Sequence, residues 1–298
     1  MQKIISIGFN IFNRKDYNDF SLQRLIVFII RSSFNKNEVF NLIDFFSANE
    51  LLNNIALKNP TVYEQLTRYL FYSKSFLDER LTLIKNHFLF ITNNFTPSAI
   101  NNIYNSQPIN LLSYNYNNDQ LKINLNYKYE DRKEGIITIE LTLNDERIYH
   151  ITFWFNLLNN TPIICIGALQ GKKGASELIH ALTKHFHGYR PKNLILLSLR
   201  CIADALNITN IYAVSNRGFY TNNHVRVDKK LKTSLDDFWT EAGGKICPDE
   251  RFYELPIEEF RKDITEVKTH KRNLYRKRYD LLDTLILSIK NNLTNFLK

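Results

Sequence analysis

Gly167-Ala168-Leu169-Gln170-Gly171-Lys172-Lys173-Gly174-Ala175 is the stretch that decides the fold. It leaves an apolar run, 162–169, and enters a segment of helical spacing through glycines and two lysines. A helix start presents unpaired backbone N–H groups and a positive dipole end, so an anion there gains hydrogen bonds and charge complementarity together. Glycine lets the backbone come close to it. An ordinary strand-to-helix turn has the same composition, and both readings stand at this point.

Upstream of this stretch the apolar period is two. Leu121, Ile123, Leu125 and Tyr127 alternate with polar residues, as do Ile137, Ile139, Leu141 and Leu143, and 148–157 is rich in strand-forming residues. Short turns at 131–135 and 144–146 predict an antiparallel meander, and the almost wholly apolar run 162–169 predicts a central strand. Downstream, 175–186 and 193–206 read as helices and 208–214 as a short buried strand. Further on, 229–242 reads as a helix and 252–255 as a strand. Residues 271–297 read as a long helix with Leu274, Leu281, Leu282, Leu285, Ile289 and Leu293 on one face. Before the meander, 20–95 has helical spacing (Leu66, Tyr69, Leu70; Leu77, Leu81, Ile84, Phe88), and Pro97 and Pro108 mark a break. The expectation is an α+β chain: a helical domain over 1–108, then an α/β domain over 109–298 whose mixed, mainly antiparallel sheet is flanked by helices and ends in a long basic helix.

The chain has 298 residues, 44% of them hydrophobic, with only 9 Gly and 7 Pro, which excludes a disordered or collagen-like protein. The net charge of +9 is concentrated in two places: six Lys/Arg against Glu177 in 171–200, and ten against four acids in 261–298. Such local surfaces attract phosphates, nucleic acid or anionic membrane, although a charge run can also be a solvated helix face. Lys271, Arg272, Arg276, Lys277 and Arg278 form the densest basic surface. Cys165, Cys201 and Cys247 lack paired spacing, so they read as apolar fillers and no metal site is expected. Arg24 and Arg31 close the apolar run 25–30, far short of the ~20 residues a span needs, so a cytoplasmic or peripheral protein is expected.

Further constellations carry chemistry. His187-Gly188-Tyr189-Arg190-Pro191-Lys192 joins two helices; Gly188 and Pro191 suit a turn, while Arg190 and Lys192 suit an anion cradle. Ser215 and Asn216 close the strand at 208–214, where ligands of open α/β sheets lie and where loops also commonly open. In Phe252-Tyr253-Glu254-Leu255-Pro256, Glu254 is either a surface glutamate or a general base.

The order of meander, central strand, glycine/lysine loop, helix and diverging strand resembles the acyl-CoA N-acyltransferase (GNAT-like) fold. That family's loop reads Gln/Arg-x-x-Gly-x-Gly/Ala; Gln170 and Ala175 match its ends, Lys173 replaces the middle glycine, and two helices stand where the family has one. The chain also resembles the VirK/YbjX family of Gram-negative bacteria. That likeness rests on 166–171, 187–194, 213–216, Asp237-Phe238-Trp239 with Gly243-Gly244, 252–256 and 271–279, and more thinly on Arg80 and His87. It implies a cytoplasmic bacterial protein associated with envelope stress, virulence and tolerance of antimicrobial peptides, and supplies no catalytic residues.

The leading expectation is an acyl- or aminoacyl-transferring enzyme acting on an amine of a peptide, protein or envelope component. Gln170, Gly171, Lys172, Lys173, Gly174, Ala175, Arg190, Lys192 and Asn216 would hold an anionic donor, acyl-CoA or aminoacyl-tRNA, with no resident cofactor firmly assigned. Glu254 or His187 would take the amine proton, and Tyr253 or Ser215 would protonate the leaving group. The alternatives are a non-enzymatic adaptor, peripheral at the inner membrane, that binds anionic lipid or a partner through the basic helix, and lastly a nucleic-acid binder.

Overall fold

In the computed structural model, which describes residues 1–12, 21–105, 107–223 and 234–298, the period-two segments pair as expected and gain one further strand at their start. The helices α1 (Gln2–Phe12), α2 (Leu22–Phe34), α3 (Lys36–Ser47), α4 (Glu50–Lys58), α5 (Thr61–Thr67), α6 (Leu77–Asn94) and α7 (Pro97–Tyr104) come first. The strands β1 (Ile109–Tyr116), β2 (Asp119–Asn126), β3 (Ile137–Leu143), β4 (Glu146–Leu158) and β5 (Thr161–Gly171) follow. Then come α8 (Ser176–His185), α9 (Pro191–Ala205), β6 (Asn210–Val214), α10 (Leu235–Glu241), β7 (Lys245–Ile246), β8 (Phe252–Leu255) and α11 (Arg272–Thr294). One eight-stranded sheet runs β1-β2-β3-β4-β5-β6-β8-β7, antiparallel throughout except for the parallel pair β5/β6.

Three differences from the sequence reading have local causes. β1 escaped notice because its register shifts between Asn110 and Leu112, which breaks the alternation. Pro97 begins α7 rather than ending a helix; it occupies the first turn, where its missing N–H costs nothing, behind the Thr96 cap on the Ala99 N–H. The helix expected at 229–242 is found as α10, starting at Leu235, and 229–233 fall outside the described residues.

The apolar row Ile123, Leu141, Leu125, Ile139, Ile151 and Leu169 runs across β2, β3, β4 and β5 in register. α9 packs on β3, β4 and β5, α11 lies on α9 and β1, and α7 touches β1 and β2. The N-terminal helices share this core, because α6 lies along β4. β3 begins opposite Phe153, so the Phe155 N–H has no strand partner on that side. His87 of α6 supplies one: its Nδ1 accepts that N–H at 3.2 Å, its Nε2 lies 2.7 Å from Tyr104 Oη, and its ring stacks on Phe155.

Burial pushes the His87 pKa down to about 3. The unfolded chain takes up this proton near the ordinary histidine value, so the stability is complete above about pH 6.5 and falls as pH drops toward 3. Urea titrations should show about 2 kcal/mol lost from this site between pH 7.5 and 5, at ~1.4 kcal/mol per unit, and His87→Gln should reduce the wild-type loss by that amount. An unchanged pH dependence in the variant would remove His87 as the acid-sensitive tie.

Candidate functional site

β5 and β6 pair from Ile163/Asn210 to Ile166/Ala213 and then part. From Gly167 to Gly171, β5 keeps only β4 as a neighbour, with a bulge opposite Thr152 and Phe153. The chain leaving β6 is drawn away, because Trp239 Nε1 donates to the Val214 carbonyl at 2.9 Å. Between the two lies a cavity of about 710 Å³. Ala168, Leu169, Gln170 and Gly171 form one wall and Tyr220, Thr221, Leu235 and Phe238 the other, with Lys172, Lys173, Arg190 and Lys192 at its border.

The cations are loosely committed. Lys172 Nζ lies 2.6 Å from the exposed Glu146 carboxylate, which is thereby held below the usual carboxylate range. Arg190 pairs with Glu241, and Lys192 sits 3.6 Å from the same carboxylate and 4.5 Å from the centre of the Phe238 ring. Partial burial, with Arg190 nearby, lowers the Lys192 pKa. α8 starts without a side-chain cap on its first N–H groups, and Gly174 (φ +81°) makes the turn into it in open space.

Glu134 lines the cavity and was not anticipated. It sits in the turn between β2 and β3, where an acidic residue carries no signal of its own. Gly135 lets that turn press on the sheet, since a Cβ there would lie 2.9 Å from the Phe153 backbone. Gln170 Nε2 donates to Glu134 Oε1 at 2.8 Å. Burial, reinforced by the Asp131 carboxylate, raises the Glu134 pKa to about 8, and burial beside Glu134 raises Tyr220 to about 12.

Of the residues singled out from sequence, Gln170, Gly171, Lys172, Lys173, Arg190 and Lys192 meet in this cavity, with Gly174 and Ala175 just beyond at the head of α8. The expected proton-handling groups do not. Glu254 pairs with Tyr212 and Lys245, is exposed, and accepts from Asn210 Nδ2 at 3.2 Å; Tyr253 pairs with Ala213 and Ile246. Ser215 is buried, donating to the Glu250 carbonyl at 2.7 Å and accepting from the Gly218 N–H. His187 adopts a positive φ in the turn after α8, and Arg278 holds its carbonyl. Asn216 ties down the start of α10 through the Leu235 N–H and Ser234, and faces a different cavity with Arg217 and Arg251. The basic surface is also thinner than its count. Arg272 donates to the Val267 and Thr265 carbonyls and Arg278 to that of His187, leaving Lys271, Arg276 and Lys277 exposed.

The folded pKa of Glu134 lies above its ordinary value, so the neutral carboxyl stabilises the fold fully below about pH 4.5, and that stability is lost as pH rises through 8. Thermal melts should therefore find Glu134→Gln close to wild type near pH 4.5 but more stable near pH 9, on the order of 4 kcal/mol at ~1.4 kcal/mol per pKa unit. A difference that does not change with pH would show that this carboxyl ionises freely.

No helix among the described residues is long and apolar enough to cross a membrane. No solved structure matches the chain. Among curated proteins, it is 35% identical over 175 residues to the uncharacterized protein YbjX of Escherichia coli, covering 57% of this chain and 52% of that protein. It is 27% identical over 217 residues to an uncharacterized protein of Haemophilus influenzae, covering 71% and 70%, and 28% identical over 163 residues to a second one, covering 54% and 53%. The chain thus spans about half the length of the Escherichia coli relative. The resemblance to the YbjX proteins rests on more than local motifs: residues 19–291 match one family model, and the chain belongs to the family described as protein of unknown function (DUF535).

Proposed function

We propose that the protein is a GNAT-like acyl- or aminoacyltransferase acting on an amine of a peptide, protein or envelope component. The observation that supports it is the open cavity where β5 outruns β6, bordered by four cations and containing a buried carboxyl poised near neutrality. A parallel pair that splays after an antiparallel meander makes a crevice of the kind in which open sheets bind ligands. Lys172 and Arg190 spend their charge on exposed carboxylates, and such pairs are worth little, so a phosphate displaces them at small cost.

In this reading Lys172, Lys173, Arg190 and Lys192 hold the phosphates of an acyl-CoA or an aminoacyl-tRNA, and the first N–H groups of α8 add to them. The acceptor amine attacks the donor carbonyl carbon. A C–N bond forms, and the C–S bond of a thioester or the C–O bond of an aminoacyl ester breaks. The carboxylate form of Glu134 takes the proton lost by the amine and returns it to the leaving sulfur or oxygen, so one proton passes from acceptor to leaving group. A pKa near 8 suits both halves of that relay. Gln170 keeps the carboxyl oriented.

Calorimetry with acetyl-CoA, a long-chain acyl-CoA and charged tRNA should detect binding of one of them, weakened about tenfold or more by Lys172→Glu with Lys192→Glu. Glu134→Gln should retain that binding and lower kcat about a hundredfold with little change in KM. Absence of binding to all three donors overturns the proposal.

A further inference from the structure

α2 is apolar on both of its sides. Leu25 and Phe28 turn into the core with Ser32. On the other flank Leu22, Ile26, Ile30 and Phe34, spaced four apart and so adjacent on one face, are 57, 47, 50 and 86% exposed, and Val27 beside them is 38% exposed. α1 packs against α2 and adds exposed Met1 and Phe9. Single exposed apolar residues are ordinary; a continuous ridge of them marks a contact surface.

The sequence around the ridge is net basic: 1–37 carries six Lys/Arg against Asp16 and Asp19. The described part of 1–37 contains Lys3, Arg24, Arg31 and Lys36 and no acidic residue. Beside Val27, the residues Arg24, Arg31 and Arg68 line a cavity of about 260 Å³. Among the described residues that line it is Glu64, shared between Arg68 at 2.6 Å and Arg132 at 3.1 Å.

We propose that the packed helices α1 and α2 dock the protein on an anionic lipid bilayer, with the α2 ridge at the boundary of headgroups and acyl chains and the arginine-lined cavity at the lipid phosphates. An apolar helix face bordered by cations is the pattern of a helix that lies in the membrane plane. With 13 residues and its inner side packed in the core, α2 lies on the surface and does not span. Charge decides against a second copy of the chain as the occupant, because that pairing sets cations against cations. The proposal stands independently of the transferase reading, and it places lipid contact at the opposite end of the chain from the basic helix α11.

The test is flotation of the full-length protein with phosphatidylcholine vesicles, with and without a quarter phosphatidylglycerol, at physiological salt. Wild type should float with the anionic vesicles. Ile26→Glu with Ile30→Glu, and separately Arg24→Gln with Arg31→Gln, should each reduce binding about tenfold or more. Lys271→Gln with Arg276→Gln and Lys277→Gln should leave it unchanged. The substituted apolar side chains are exposed, so melts should match wild type. Failure of wild type to float overturns the proposal, as does undiminished binding by the Ile26/Ile30 variant. So does a dimer in light scattering that the same variant converts to monomer, because the ridge is then a contact between copies.

Discussion

The parting of β5 from β6 after Ile166 and Ala213 is the constraint on which the rest of the site depends. A strand that outruns its parallel neighbour leaves one wall without a partner, and here the space is kept open because Trp239 draws the end of β6 toward α10. Gly167 makes the geometry possible. A Cβ at that position would stand 1.6 Å from the Glu134 carbonyl, so the bulge and the turn that carries Glu134 fit together only with glycine there. The same contact brings the Glu134 carboxyl to Gln170.

Beneath this turn the second face of the sheet is polar, and buried where the turn covers it. Buried Asn124 and Glu140, partly buried His150 and exposed Gln170 stand opposite one another across β2, β3, β4 and β5. Arg147 pairs with Asp131 and Glu140 at 3.0 Å each, and Arg132 pairs with Glu64 at 3.1 Å. Desolvation consumes much of the attraction within such pairs, so the network selects one arrangement of the turn more than it stabilises the fold. One of its carboxylates has a direct consequence at the cavity, because Asp131 helps keep Glu134 protonated near neutrality.

Charge on the outside is organised differently at the two ends of the chain. In α11 and the segment before it, arginines are spent on carbonyl oxygens, where the guanidinium fork closes a turn and joins the helix to the loop after α8. Around α2 the cations border an apolar ridge instead. The count of basic residues is greater at the C-terminus, while α1 and α2 hold more exposed large apolar side chains than α11.

Periodicity is a local property, and what depends on it was legible in the sequence: the helical N-terminal half, three of the meander strands, the central position of β5, two helices before β6 and the long terminal helix. The glycine/lysine loop and the Arg190 and Lys192 pair were legible too, because helix starts and turn residues carry their own chemistry. Which side chains meet was not. Period-two alternation marks one face of β2 and β3 as polar but cannot say that 127–136 folds over that face and buries it. For the same reason Glu134, an unremarkable acid in a turn, becomes the titrating group of the cavity, while Glu254 and Ser215, prominent at strand ends, are taken up by Asn210 and by the Glu250 carbonyl. The pKa of an acid depends on burial and on charges brought close by the fold, and both are decided by residues far away in the chain.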